Sequence, residues 1–202
     1  MPVLAAGLER EMASLYIALV HYPVLNRIGA TIASAVTNLD LHDLARSCRT
    51  FGVPVCYIVT PLKDQQALTH RLTSHWINGK GGELLPERRE ALKILKVVED
   101  ISSAREDILE KTGKLPVVWT STARKEPGSM PHAQARLLLE REDGPFLLLF
   151  GTGWGLAPTV FEEADAVLDP IAGVNGYNHL SVRSAVSILM DRLLGNRNAQ
   201  GE

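Results

Sequence analysis

"FLLLFGTGWGLAP", residues 146–158, decides how this chain is read. An apolar run of strand length passes without a break into Gly151, Gly153 and Gly155, and Pro158 follows. Glycine loses the most chain entropy on folding, so three at alternate positions mark a backbone that turns sharply or approaches another group closely. A strand emptying into glycines is where α/β proteins place nucleotide ligands, at the carboxyl edge of the sheet. The spacing is G-x-G-x-G, however, and not the dinucleotide G-x-G-x-x-G. The phosphate-cradling G-x-x-x-x-G-K-[ST] is also missing.

Working outward, "LYIALV" (15–20), "VPVCYIVT" (53–60), "LPVVWTST" (115–122) and "AVLD" (166–169) are further short apolar runs of strand length, and "GATIASAV" (29–36) is a candidate extended piece. Between them the period changes. Leu41, Leu44, Ala45 and Cys48 fall at helical spacing, with Asn38 or Asp40 as candidate caps and Gly52 as the stop. Residues 62–78 and "PHAQARLLLERE" (131–142) read as helices, as does "APTVFEEA" (157–164). Ser103 and Glu106 form a candidate capping box for a helix closed by Gly113. "NGKGGE" (78–83) reads as a loop, and "ALKILKVVED" (91–100) fits either period. A long helix across 179–195 ends the pattern, and its broad apolar face (Val182, Ala185, Val186, Leu189, Met190, Leu193) suits a core or a dimer contact equally. Strands alternating with amphipathic helices define an α/β fold, a parallel sheet covered by helices on both faces. No repeat or composition shift divides residues 1–202, so one domain is expected, with residues 1–14 as a lead-in.

Composition narrows the class. The net charge of −2 announces no nucleic-acid binder by bulk electrostatics, although Arg46, Arg49, Lys63, Arg71, Lys80, Arg88 and Arg89 all fall in the first half. Cys48 and Cys56 stand in apolar surroundings, which points to buried thiols in a reducing, cytoplasmic setting rather than to a disulfide or a metal. No uncharged apolar run is long enough for a membrane span. The first residues also lack the basic segment that opens a signal peptide.

Two polar segments accompany the glycine loop. "DPIAGVNGYNHLSVRSA" (169–185) brings Gly173, Gly176, Asn178, His179 and Ser181 to the start of the last helix, where backbone N–H groups lack helical partners. "NLDLHDLARSCRTFGV" (38–53) places Asp40, His42, Asp43, Arg46 and Arg49 on one helix. Alone, the first is a capped helix and the second an amphipathic helix with ion pairs at helical spacing.

In this order, the three segments resemble the motifs of the SPOUT superfamily, the knotted α/β RNA methyltransferases. "TN" (37–38) with "RSCRTFGV" (46–53) matches its first motif, "FGTGWGL" (150–156) its second, and "DPIAG" with "NHLSVRSA" its third. More narrowly, the chain is similar to a group of S-adenosylmethionine-dependent RNA methyltransferases carrying Y-N-H-L-S-V-R-S-A. The glycine loop lacks the glutamate of the SpoU pattern, the Asn38–Arg46 spacing is two residues longer, and His179 stands where that pattern has asparagine. The acceptor therefore stays open between a base nitrogen and a ribose 2′ oxygen. The resemblance implies a C-terminal deep trefoil knot over about 146–194 and a cofactor pocket for S-adenosylmethionine, with S-adenosylhomocysteine as product. Thr120 and Ser121, Phe150, Gly151, Gly153 and Gly155, and Ile171, Gly173, Asn178, Leu180 and Ser181 would form its walls. It implies Arg46 as the catalytic arginine, with Asn38 and His42 beside it. Asp40 and Asp43 are alternatives, and Arg183 and His179 stand behind these. The implied partners are transfer or ribosomal RNA and a second copy of the chain, with no metal. Two other readings remain at this point: a nicotinamide-binding Rossmann enzyme and a knotted RNA-binding module without activity.

Overall fold

A computed structural model describes residues 12–196. Most of the expected lead-in lies outside the described residues. Its end is held: Met12 and Ala13 pack on the core, and the Ala13 N–H donates to the Leu139 carbonyl at 2.7 Å.

The strands are β1 (Leu15–Val20), β2 (Val24–Leu25), β3 (Thr31–Ile32), β4 (Cys56–Val59), β5 (Leu95–Val98), β6 (Val117–Thr120), β7 (Phe146–Gly151) and β8 (Ala166–Val167). The helices are α1 (Asn38–Thr50), α2 (Lys63–Ile77), α3 (Lys80–Leu84), α4 (Pro86–Leu92), α5 (Ile101–Thr112), α6 (His132–Arg141), α7 (Pro158–Glu162) and α8 (Val182–Leu194). Six strands make one sheet in the order β5-β4-β1-β7-β6-β8, and every pairing in it is parallel. β2 and β3 form a separate antiparallel ribbon. The α/β expectation holds.

Alternation along β1 and β7 explains the two covered faces. Leu15, Ile17, Leu19, Phe146, Leu148 and Phe150 enter one apolar cluster with residues of α1, α6 and α8. Tyr16, Ala18, Val20, Leu147 and Leu149 enter another with α5 and Val160 of α7. Both strands are buried on both sides, which is why they read as continuous apolar runs. On the α5 face, burial alone would raise the Asp107 carboxyl, but hydrogen bonds from Lys111, Lys96 and Tyr57 hold it down to about 2.

Several local expectations are corrected. α1 is capped by Thr37, not Asn38 or Asp40: the Thr37 hydroxyl accepts from the Asp40 N–H and donates to its carboxylate at 2.6 Å. α5 begins earlier than the Ser103 box, because Asp100 accepts from both the N–H and the hydroxyl of Ser103. The ambiguous 91–100 segment contains the end of α4 and then β5. "NGKGGE" is not a loop but contributes to the helical turn α3. Gly81 and Gly82 are buried against α2, where a Cβ on Gly82 would lie 2.0 Å from the Trp76 carbonyl oxygen. The glycines here serve helix-to-helix contact rather than mobility.

That contact is testable. Gly82→Ala is expected to lower unfolding free energy by about 1–3 kcal/mol in urea melts, as overpacked sites do. Gly144→Ala, where a Cβ meets nothing within 4 Å, is expected to be near neutral.

Candidate active site at the carboxyl edge of the sheet

The loops leaving β1, β6, β7 and β8 at their carboxyl ends converge on one cavity of about 850 Å³. This edge is where parallel α/β sheets bind ligands, and the volume lies within the usual range for small-molecule sites. Ser34 and Thr37 enter from the segment after β3, Ser121 from the loop after β6, and Ile171 from the loop after β8.

Most expected wall residues are brought together. Phe150, Gly151, Gly153 and Gly155 line the cavity on one side. Ser121, Ile171, Asn178, Leu180 and Ser181 line the others. Thr120 does not reach the lining: it is fully buried at the end of β6, paired with Leu149 on one side and Val167 on the other. Gly173 also stands outside the lining, and its missing Cβ makes room for the Tyr177 carbonyl, 2.0 Å from where that atom would sit.

What the glycine loop approaches closely is the chain itself. A Cβ on Gly151 would lie 2.5 Å from the Leu156 nitrogen, and one on Gly153 would lie 3.0 Å from the Leu25 carbonyl oxygen. Gly153 and Gly155 take positive φ, +60° and +101°. The β2 edge then clamps the turn: the Trp154 N–H donates to the Leu25 carbonyl at 3.0 Å, and the Leu25 N–H donates to the Gly155 carbonyl at 2.9 Å. These bonds fix the loop and leave the Trp154 side chain 56% exposed along the cavity lining.

The opposite wall is tied down as firmly. The Asn178 amide donates to the Ala123 carbonyl at 2.7 Å, linking the loops after β8 and β6. Asp169 takes hydrogen bonds from Lys125 and Ser129, and its carbonyl meets His132 Nε2 at 2.6 Å. The Ser181 hydroxyl caps α8 by accepting from the Ser184 N–H.

The expected catalytic residues lie elsewhere. Asn38 and Arg46 are exposed on α1, and neither they nor His42 lines the cavity. Asp40 is the α1 residue that does. Its carboxylate receives Arg183 Nη1 at 2.8 Å, and Arg183 Nε also meets Asp43 at 3.2 Å, so the starts of α1 and α8 are joined by one guanidinium. His42 packs edge-on to Trp76, and its pKa is lowered by burial first and by the nearby Arg88 charge second. Arg88 lies 4.9 Å above that indole.

Sequence reasoning missed Ser34, Thr152 and Trp154. Their signal was faint: small hydroxyl residues before a helix, and one large aromatic within a glycine turn. The hydroxyls form a chain. Thr152 Oγ1 donates to the Val20 carbonyl at 3.1 Å, Ser34 Oγ lies 2.5 Å from Thr152 Oγ1, and His21 Nδ1 lies 2.9 Å from Ser34. A carbonyl has no proton, so Thr152 donates to it, Ser34 donates to Thr152, and His21 donates from Nδ1. This tautomer is assigned from the network. Ser34 is left with a lone pair for the cavity it lines. His21 is fully buried, and Nε2 finds no partner among the described residues. Burial pushes its pKa down to about 4 against the opposing pull of Asp40.

Fold and site together define a parallel α/β protein with a fixed, part-polar pocket of nucleoside size at the carboxyl edge of its sheet. The comparisons make the class specific. Residues 14–195 match a family described as SAM-dependent RNA methyltransferase, and the chain belongs to that family. An uncharacterized protein of Aquifex aeolicus is 34% identical over 180 residues, covering 89% of this chain and 88% of that one. A Nitratidesulfovibrio vulgaris protein named tRNA (guanine-N(1)-)-methyltransferase is 48% identical over 192 residues, 94% of this chain but only 44% of its own length. This chain therefore spans under half of that relative. The structure of an Aquifex aeolicus TrmH/SpoU tRNA modifying enzyme superposes with a TM-score of 0.53 at 14% identity, covering 92% of this chain and 76% of the other, which shows a shared fold. Membership sets aside the nicotinamide-binding alternative.

The buried imidazole makes a pH prediction. Its folded pKa lies below the unfolded value, so the unfolded chain binds more protons between about pH 6.5 and 4, and stability falls as pH drops through that window. The loss attributable to His21 is on the order of 3 kcal/mol by pH 4. Urea melts across this range are expected to show a flatter decline for His21→Asn than for the unaltered protein. An equal slope would place the titration on other groups.

Proposed function

We propose that this protein transfers a methyl group from S-adenosylmethionine to a nucleotide of transfer or ribosomal RNA. The observation that carries the reading is the cavity: Thr37 and Asp40 at the start of α1, the glycine loop and residues of the 169–185 segment, far apart in sequence, line the same pocket. The pocket's residues fit the cofactor. Phe150, Leu156, Ile171 and Leu180 supply apolar faces for an adenine, and the loops supply backbone polar groups and the Asn178 and Ser181 side chains for its edges and the methionine tail. When bound, the cofactor supplies an electrophilic methyl that needs no metal.

The chain's own residues must position an acceptor about 3–3.5 Å from that methyl and manage its charge. Arg46 is assigned to phosphate orientation or to stabilising the deprotonated acceptor. His42, held neutral by burial and Arg88, is assigned as the proton acceptor, and Asn38 orients the acceptor from the start of α1. None of the three lines the pocket of its own chain. We therefore assign them to the pocket of a second copy in a homodimer, a reading supported by the exposure of Arg46 and Asn38.

We also assign the trefoil knot to about residues 146–194. It is supported by the β8–α8 connection, which is bonded to the 123–130 loop through Asn178 and Asp169 and by a bridge between Met130 and Leu168. The buried free thiols Cys48 and Cys56 support a cytoplasmic setting. Among the described residues, no helix is long and apolar enough to cross a membrane. The guanine-N1 chemistry in the relative's name stays with that protein, most of which lies beyond the matched region.

Titration calorimetry with S-adenosylhomocysteine is expected to show one site per chain; no heat would remove the cofactor reading. In methyl incorporation into unmodified tRNA transcripts, Arg46→Ala is expected to lose at least a hundredfold in rate with cofactor affinity within twofold. Undiminished incorporation would take Arg46 out of catalysis. Cofactor binding without incorporation into tRNA or rRNA would favour the non-catalytic module.

A further inference from the structure

We infer that Trp154 and Ser34 together hold the base of the RNA nucleotide being methylated, Trp154 by stacking on its face and Ser34 by accepting from an N–H on its edge. This rests on the cofactor pocket of the preceding subsection and names what occupies the pocket's outer end.

Exposure and rigidity combine unusually at Trp154. The residue is 56% exposed, although aromatic residues make up only 5% of the chain. A large aromatic ring exposed on the cavity lining is available to a ligand there. Its backbone is held in place. The residue sits between two positive-φ glycines, and its N–H is held by Leu25 of the β2–β3 ribbon. A large ring carried on a fixed turn at the cavity can serve as a stacking platform, and stacking tolerates any base because every base presents a π face.

The edge contact comes from the hydroxyl chain two residues upstream. Thr152 is bonded to Ser34 at 2.5 Å, and both line the same cavity as Trp154. The proton order that starts at the Val20 carbonyl makes Ser34 a donor to Thr152 and an acceptor from His21. Its remaining lone pair can only accept, so it selects a ligand group bearing a hydrogen. Amino and imino groups of bases offer that hydrogen; a phosphate oxygen does not. His21 is a positioning residue in this arrangement, acting through Ser34.

The competing occupant of Trp154 is the adenine of the cofactor, and the experiment separates the two. Fluorescein-labelled pentaribonucleotides with A, C, U or G at the central position are titrated into the full chain at saturating S-adenosylhomocysteine and, separately, without it. Anisotropy gives RNA affinity, and calorimetry gives S-adenosylhomocysteine affinity. For the tightest pentamer, Trp154→Ala is expected to weaken binding about tenfold, with Trp154→Phe recovering to within about threefold. Ser34→Ala is expected to weaken it several-fold and to reduce the preference among the four central bases. S-adenosylhomocysteine affinity is expected to stay within twofold in all three variants. Pentamer binding indifferent to Trp154, or absent for all four, overturns the proposal. So does a loss of S-adenosylhomocysteine affinity in Trp154→Ala, which would give the ring to the cofactor. Failure of the unaltered chain to bind S-adenosylhomocysteine would instead sink the cofactor reading, while the titrations without it still report on Trp154.

Discussion

The parallel pairing of β1 with β7 is the constraint from which the site follows. Six residues of each strand run in register, from Leu15 beside Phe146 to Val20 beside Gly151. This joins segments about 130 residues apart, and each strand is buried on both faces, so a register slip would exchange the residues committed to the two apolar clusters. Fixing Val20 beside Gly151 brings the two following residues together. Thr152 donates to the Val20 carbonyl, and through Ser34 it meets His21. The hydroxyl chain at the cavity is thus a direct continuation of the sheet's hydrogen-bond ladder.

A second consequence concerns the glycines. Their positive φ values and absent side chains are consumed within the protein, in a turn that lets β2 lie against the loop. A loop shaped by its own chain before any ligand arrives loses little freedom on binding. Preorganisation of this kind favours affinity without new contacts. The small β2–β3 ribbon, peripheral to the sheet, is therefore a structural part of the site.

The central strands and long helices were legible because burial on two faces or on one stripe leaves a pattern in the sequence. β5, at the sheet edge and only partly buried, lacks that pattern, which is why 91–100 fitted either period. The caps were also less legible. Several Ser, Thr, Asn and Asp residues stand near the starts of α1 and α5, and only tertiary placement chose Thr37 and Asp100 over Asn38 and Ser103. "NGKGGE" misled for a related reason: glycine marks close approach as readily as a turn, and here the approach is to Trp76. At the site, the segments contributing to the pocket could be read, but not which side chains face it. Asp40 faces the cavity while Arg46, six residues on, does not. A helix turns 100° and rises about 1.5 Å per residue, so neighbours in one motif need not share a destination.

The contacts of Asp40 argue against it as a proton acceptor. Asp40 lines the cavity, but its two oxygens are already engaged by Arg183 and by the Thr37 hydroxyl. Arg183 is in turn divided between Asp40 and Asp43, so its charge is committed to joining α1 to α8. His21 cannot serve as the acceptor's cation either, since its Nδ1 proton is engaged by Ser34 and burial disfavours the imidazolium. Asp40, Arg183 and His21 thus have their protons and charges already engaged, while Arg124 and Glu126 also line the cavity. Arg46, by contrast, is exposed on α1 and stands outside this lining.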